Sequence, residues 1–263
     1  MTHMPRYTRK PLVSSIPLWM RDDRPRRQGM DRWKGPHSQI ISATPGLEEY
    51  RQIHLAESNP GLWPAIDGVE TAAPTDRRID GVAEVTMKSL LSPLLGREQT
   101  KLAHLDEVNL FRRTVLYAGP PYSARWYDVG TGERPGARAL VYLRRRASVG
   151  TGAFRKVVTD RLVPALARAA ALKELRTQMF MQWRRGLWDS PNVAHDNPVE
   201  SRFHASLILG FTDADALRAF FAGSAVAEVS SRLPAFASAV HAYEVEETLT
   251  FVEHGRALTS AHS

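Results

Sequence analysis

The sequence predicts an α+β fold in which one chain of 263 residues carries two tandem ferredoxin-like βαββαβ units. Segments rich in Val, Ile, Tyr, Phe and Trp, which are typical of strands, alternate with helical segments in the same order in both halves. "PGLEEYRQIHL" aligns with "AALKELRTQMF", which sets Leu47 against Leu172, 125 residues later. The chain has no cysteine, which excludes disulfides and thiolate-bound metals as organisers of the fold.

The first unit spans residues 1–130 and follows the order strand, helix, strand, strand, helix, strand. Its elements are predicted at 13–21, 27–43, 47–55, 80–88 and 89–111, with a last strand in either "TVLYAG" or "ARWYDV".

The second unit spans residues 137–255 and repeats that order after the linker "GTGERPG". Its elements are predicted at 137–145, 153–170, 172–183, 203–211, 213–239 and 239–252. Apolar residues recur at helical spacing through 153–170, and Pro164 within that run predicts a kink.

A βαββαβ unit covers one face of its sheet with helices and leaves the other face bare. Two units in one chain can bury both bare faces by packing them together. We therefore expect a barrel with a shared cavity, closed within a single chain.

Composition limits the partners. The formal charge of +7 is spread over short arginine runs such as "YLRRRAS", so no nucleic-acid surface is expected. No segment approaches the roughly 20 apolar residues that span a bilayer, and the N-terminus lacks a signal-peptide core. We expect a cytoplasmic protein with no membrane contact.

Four segments combine into a family pattern. "WKGPH" (33–37), "PGLEEYRQIH" (45–54), "DGVAE" (80–84) and "HLDE" (104–107) together resemble the EthD family of dimeric α/β-barrel proteins. The resemblance implies a barrel that is usually closed by two copies, here by tandem duplication. It also implies functions that range from accessory proteins of ether degradation to dehydratases and decarboxylases of polyketide-like aromatics. The wider superfamily includes cofactor-free oxygenases and haem enzymes.

Strand alternation predicts which side chains face the cavity. Tyr50, Gln52 and His54 share one face of their strand, and we expect Glu84 beside them. His37, four residues after Trp33 and on the same helix face, would close one end. In the second half the matching positions are largely apolar. The expected substrate-binding residues are Trp33, Gln52, Trp19, Thr177, Met179, His204 and Ser206.

These residues predict a cofactor-independent lyase of the dehydratase or decarboxylase type. His54 would abstract a proton, Glu84 would orient it, and Tyr50 with His37 would stabilise an enolate of an apolar aromatic or polyketide-like carbonyl compound. Two alternatives stay open: a hydrophobic-ligand carrier without catalysis, and a cofactor-free monooxygenase. A structural role for each histidine also stays open.

The sequence predicts no metal and no cofactor. The nine histidines are scattered without an H-x-H or H-E-x-x-H pattern, and no nucleotide-binding glycine motif is present. A haem would need an axial ligand such as His204. Asp106 and Glu107 are expected to be carboxylates at a helix N-terminus. Unpaired outer strands would allow a homodimer.

Overall fold

The computed structural model of the chain describes residues 5–129 and 132–262, so Gly130 and Thr131 of the predicted linker lie outside the described residues. The strands are β1 (Tyr7–Lys10), β2 (Leu12–Met20), β3 (Leu47–Leu55), β4 (Gly81–Met87), β5 (Phe111–Thr114), β6 (Tyr117–Ala118), β7 (Ala124–Tyr127), β8 (Ala137–Arg145), β9 (Leu172–Met179), β10 (Ala205–Phe211), β11 (Ala237–Glu253) and β12 (Arg256–His262). The α-helices are α1 (Arg26–Arg32), α2 (Ser38–Ser42), α3 (Ser92–Leu95), α4 (Arg97–Glu107), α5 (Thr151–Val157), α6 (Val163–Ala167), α7 (Ala214–Phe221) and α8 (Ser224–Ser230).

Two π-helical turns interrupt the helices that were predicted as continuous. Trp33–His37 joins α1 to α2, and Val158–Leu162 joins α5 to α6. Pro36 lacks the amide N–H that a regular helix needs, and Gly35 before it adopts a non-helical ψ of −106°. Pro164 is separated from the second turn by Val163 alone, so the predicted irregularity takes the form of a wider turn.

All strand pairs in the described residues are antiparallel and form one twelve-stranded sheet. Strand order is β5-β2-β4-β3 in the first half and β9-β10-β8-β11 in the second, which is the ferredoxin-like order in each. β11 also pairs with β3, so the two halves share one sheet. The predicted combination of helices and strands is confirmed, and the strands form one large antiparallel sheet.

The last strand of the first half is broken into three pieces, and together they close the sheet into a barrel. β5 and β6 pair with β2, whereas β7 pairs with β9 of the second half. Between them, Gly119 N donates to Val13 O (2.9 Å) and Ala118 O accepts from Met181 N (2.8 Å). The two segments that were predicted as alternatives for this strand, "TVLYAG" and "ARWYDV", therefore both contain strand residues. The first pairs with the first half and the second pairs with the second half.

Side chains from both halves fill the barrel interior. They form an apolar cluster of Trp19, Ile53, Leu55, Ile79, Val82, Val115, Tyr117, Leu140, Tyr142, Phe180, Ile208 and Tyr243. Ser15 Oγ lies 2.6 Å from Tyr142 OH within it. A cavity of about 200 Å³ remains at one end, beside Trp19. The predicted shared cavity is thus limited to this small space, because bulky aromatic side chains fill the rest of the barrel interior.

Each half sends a long loop over the helices of the other half. The loop between β3 and β4 carries Trp63, whose Nε1 donates to Oγ of Ser230 (3.0 Å), the last residue of α8. The loop between β9 and β10 carries Trp188, which reaches the first half. In the described residues, no helix is both long enough and apolar enough to cross a bilayer.

Candidate active site

A cavity of about 630 Å³ lies outside the barrel, between the outer face of β2, β3 and β4 and the helices of the first half. Its sheet wall is apolar: Leu12, Ile16, Leu18, Leu47, Ala83, Val85 and Met87. Its polar groups come mainly from the helices: His37, Arg97, Thr100, Lys101, His104 and Glu107. An apolar pocket of this size with a few converging polar groups is typical of a small-molecule site.

His37 and Asp106 form a hydrogen-bonded pair at the wall of this cavity. His37 ends the first π-turn, and its Nδ1 lies 3.0 Å from Asp106 Oδ2 at the end of α4. That hydrogen bond, together with Arg32 and Asn109, lowers the pKa of Asp106, so the carboxylate is ionised and accepts. Because the carboxylate accepts, Nδ1 is the donor of this hydrogen bond, and Nε2 is the ring nitrogen that Asp106 does not contact.

Glu107 is the second ionisable group of the cavity and is almost fully buried. Burial raises the pKa of Glu107 to about 7. Three donors oppose this effect: Ser190 Oγ, Trp188 Nε1 (3.0 and 3.1 Å) and, more distantly, Thr114 Oγ1 (3.4 Å). Near neutral pH the side chain exists in both forms, so it can donate a proton as well as accept one.

The loop from the second half completes this site. Its Met181, Leu187 and Trp188 line the cavity, and Ser190 contacts Glu107. His195 fixes the loop, because its Nε2 accepts from Ser190 N (2.8 Å) and its Nδ1 donates to Thr114 O (3.0 Å). Residues from both halves of the chain therefore define one site.

His104 also lines the cavity, one turn of α4 before Glu107. Its ring meets the indole of Trp188 edge-on, with centroids 4.4 Å apart. Burial lowers the pKa of His104, and its Nε2 has no hydrogen-bond partner. A neutral imidazole with an unpaired nitrogen can serve as a polar contact for a ligand.

Three of the sequence-predicted residues do meet at the cavity: Trp33, His37 and Tyr50. Gln52 and His54 share their face of β3 but lie beneath Trp33. The His54 ring stacks on Trp33 with centroids 4.6 Å apart, and Gln52 Nε2 donates to Trp33 O (2.7 Å) and Tyr50 OH (2.8 Å). Burial lowers the pKa of His54 to about 3, so it is neutral at pH 7. The His54 ring therefore packs against the π-turn that begins at Trp33 and ends at His37.

The expected pairing of Glu84 with His54 is wrong. β4 runs beside β3 in a register that sets Arg51 opposite Glu84 and His54 opposite Gly81. Glu84 therefore points into the barrel, where it forms ion pairs with Arg51 (3.4 Å) and Arg176. The expectation failed because a polar strand face was assigned to the barrel interior, whereas the polar face of β3 packs against a helical layer.

Trp19 and Ser206 face the barrel interior instead of the cavity. Trp19 belongs to the interior apolar cluster and borders the small end cavity. Ser206 lies opposite Tyr142 and Gln178 in the sheet.

Thr177, Met179 and His204 belong to the second half and are not among the residues that line the cavity. Thr177 lies opposite Leu207, and Met179 joins the apolar core beneath α5 to α8. His204 Nδ1 accepts a hydrogen bond from Arg145 N (3.2 Å), and burial lowers the pKa of His204 to about 4. These three residues do not come together with His37.

Sequence reasoning missed Asp106, Glu107, Trp188 and Ser190. The two carboxylates lie at the C-terminus of α4, not at an N-terminus, so they oppose the helix dipole. Only the folded chain shows that Leu102 and Leu105 of α4 are 51% and 65% exposed while Asp106 and Glu107 are buried. A helix that turns acids inward and leucines outward departs from ordinary amphipathicity.

Within residues 5–129 and 132–262, no group of three or more His, Asp or Glu side chains is arranged to hold a metal ion.

The sequence matches no protein-family model, and no curated protein matches it. Among solved structures, an anthrone oxidase-like protein has a TM-score of 0.57 and 12% identity, over 93% of this chain and 96% of that one. A monooxygenase candidate from Fusobacterium nucleatum has a TM-score of 0.56 and 7% identity, over 97% and 98%. One from Lactobacillus acidophilus has a TM-score of 0.51 and 8% identity, over 97% and 100%. At these identities the likeness shows the fold alone.

Proposed function

We propose that this protein is a small-molecule enzyme that removes a proton from an apolar aromatic or polyketide-like carbonyl compound bound in the 630 Å³ cavity. We further propose that the reaction is an elimination, as in a dehydratase. The observation that carries the proposal is the His37–Asp106 hydrogen bond of 3.0 Å at the wall of an apolar cavity. A carboxylate that fixes the tautomer of a histidine is the usual arrangement for a general base.

The proposed steps use side chains alone. His37 Nε2 takes a proton from the carbon next to the carbonyl group, and the electrons of the broken C–H bond form an enolate. The enolate re-forms the carbonyl and a C=C bond as the C–O bond at the β carbon breaks. Glu107, in its protonated form, delivers its proton to the departing hydroxyl, which leaves as water. A positioned base contributes about 10²–10⁴-fold to such a rate.

The base and the acid line the same cavity, and this favours elimination over simple proton exchange. An elimination of water needs both groups, whereas a carrier needs neither. The aromatic side chains Trp33, Phe111 and Trp188 beside them suit a planar, apolar substrate.

A cofactor-free monooxygenase is the second candidate. The same proton abstraction gives an electron-rich carbon that can react with O₂, so that a CH₂ group and O₂ yield a carbonyl group and water. The observation that favours it is the description of three structures of the same fold as monooxygenase candidates or anthrone oxidase-like.

We also infer that the two halves, residues 1–130 and 137–255, are a tandem duplication with an EthD-like first unit. β2 and β8 begin 125 residues apart, as do β3 and β9 and the two π-turns. "GLW" occurs at 61–63 and again at 186–188, in the two loops that cross between halves. The meeting of Trp33, His37 and Tyr50 supports the EthD-like assignment.

The proposal is tested with anthrone and with β-hydroxy ketones of fused aromatic rings as substrates. Deuterium exchange next to the carbonyl is followed by NMR, water loss by mass spectrometry, and O₂ uptake by an electrode. We expect exchange and water loss with the native protein, and a His37→Ala rate about 10²–10⁴-fold lower. Ligand binding, measured by calorimetry, should survive in His37→Ala.

His254→Ala is the matched control, because His254 is exposed in the turn between β11 and β12. It should keep the native rate. Exchange with O₂ uptake and no water loss would select the monooxygenase. Binding with equal, uncatalysed exchange in the native protein and in His37→Ala would make the protein a carrier and refute an enzymatic role.

A further inference from the structure

Exposed apolar side chains cluster in the two segments that carry the exposed lining residues of the 630 Å³ cavity. We call them the leucine rim: Leu90, Leu91, Leu94, Leu95, Leu102, Leu105, Met181 and Leu187. They are between 40% and 68% exposed. Met181 and Leu187 line the cavity, as do Pro93, Arg97 and Lys101, which lie between the rim leucines in sequence. Two members of the rim, Met181 and Leu187, therefore lie at the opening of the cavity.

Such a cluster is unfavourable in water unless something covers it. Burial of apolar surface stabilises by about 25 cal/mol for each Å² removed from water, and exposed apolar clusters of this kind mark contact surfaces. On α4 the outward position of Leu102 and Leu105 accompanies the inward position of Asp106 and Glu107. One face of α4 therefore lines the cavity, and another, apolar face is exposed to solvent.

Basic side chains are interspersed with the rim. The exposed cations are Lys88, Arg97, Lys101, Arg184 and Arg185, and the exposed acids of the same segments are Glu98 and Asp189. Lys101 pairs with Glu98 (2.7 Å), which leaves a positive excess. Apolar side chains set among cations are typical of proteins that lie on an anionic membrane surface.

A second copy of the chain suits this surface less well. A two-fold contact through the rim would bring the cations of both copies against each other, and like charges in an interface are unfavourable. It would also cover the cavity mouth and block the entry of a ligand.

We propose that the leucine rim docks this protein on an anionic phospholipid bilayer and that apolar ligands enter the cavity from the lipid. The inference goes beyond the proposed reaction, since it depends on the cavity and its mouth and not on His37. It revises the expectation of no membrane contact, which considered only spanning segments. The rim joins residues 90–105 to 181–187, so it forms only in the folded chain.

The test is co-sedimentation of the full chain with vesicles of phosphatidylcholine, alone or mixed with phosphatidylglycerol. We expect binding to the mixed vesicles, weakened by high salt because screening reduces the charge attraction. The double variant Leu94→Ser/Leu95→Ser should bind at least about tenfold more weakly, because two apolar side chains no longer enter the lipid. Arg184→Gln/Arg185→Gln should lose roughly tenfold on the mixed vesicles only.

Val199→Ser is the matched control, since Val199 is 70% exposed but lies outside the rim, and it should bind as the native protein does. The rim substitutions are at exposed positions, and unchanged thermal unfolding will show that they fold. Native protein that stays in the supernatant with every vesicle refutes the proposal, as does native-like binding by Leu94→Ser/Leu95→Ser. Sedimentation equilibrium without lipid provides a further test. A dimer of the native protein that is absent in Leu94→Ser/Leu95→Ser would also refute the proposal, because the rim would then bind a second copy of the chain. None of these outcomes depends on catalysis.

Discussion

The buried carboxyl of Glu107 should make the stability of the protein depend on pH, and Glu107→Gln should remove that dependence. The side chain is 3% exposed, and burial raises its pKa from 4.5 to about 7. A carboxyl with a raised pKa in the folded state binds its proton more tightly there than in the unfolded chain. Its contribution to stability is therefore fully present below pH 4.5 and is lost as the pH rises through about 7.

The size of the effect follows from the two pKa values. With 4.5 for the unfolded chain and about 7 for the folded protein, the free energy of unfolding should fall by roughly 2–3 kcal/mol between pH 5 and pH 8 because of Glu107. Gln cannot ionise, so Glu107→Gln should lack this fall. A constant cost from imperfect hydrogen bonds to Trp188 and Ser190 would be the same at both pH values and would cancel.

The assay is urea unfolding of the native protein and of Glu107→Gln at pH 5 and at pH 8. The quantity of interest is the difference between the two pH values, compared between the two proteins. His54, whose pKa burial lowers to about 3, titrates in both proteins and cancels. Parallel pH dependence in the two proteins would refute the assignment of a buried carboxyl with a raised pKa.

Two further predictions concern positions that hold the site and the barrel together. Gly81→Ala should lower stability by about 1–3 kcal/mol, because a Cβ there would lie 2.6 Å from Trp33 Cζ3; Gly152→Ala, with open space around it, should show no such loss in thermal unfolding. Arg176→Met should cost about 3–5 kcal/mol in urea unfolding, because it leaves Glu84 buried without its closest partner. Adding Glu84→Gln should recover part of that loss, and a double variant no more stable than Arg176→Met would count against the ion pair.

The order of elements was predictable because it depends on local patterns. β3 and β8 have the predicted bounds, since each is a run of strand-forming residues between turn residues. The interruption near Pro164 was likewise visible, because proline removes an amide donor wherever it stands. β1 and β12 were not predicted. The partner of β1 is β7, which is remote in sequence, whereas β12 forms a hairpin with β11, the strand directly before it.

The candidate site was only partly predictable, and β3 shows why. Alternation correctly grouped Tyr50, Gln52 and His54, but it could not say which face met the barrel and which met the helices. His54 is buried against Trp33, while His37 gains a carboxylate partner from α4, a contact between residues that are remote in sequence. No local pattern distinguishes these two histidines.

The sequence by itself determined the alternation of strands and helices, the likeness of the two halves and the grouping of side chains on each strand, because these follow from the chemistry of neighbouring residues. The tertiary structure alone decided that the barrel is filled, that the cavity lies beneath the helices of the first half, and that a loop of the second half completes it. Strand register and loop crossing set those features, and both depend on contacts between segments that are far apart along the chain. Local sequence cannot encode such contacts, so the site became visible only in the folded molecule.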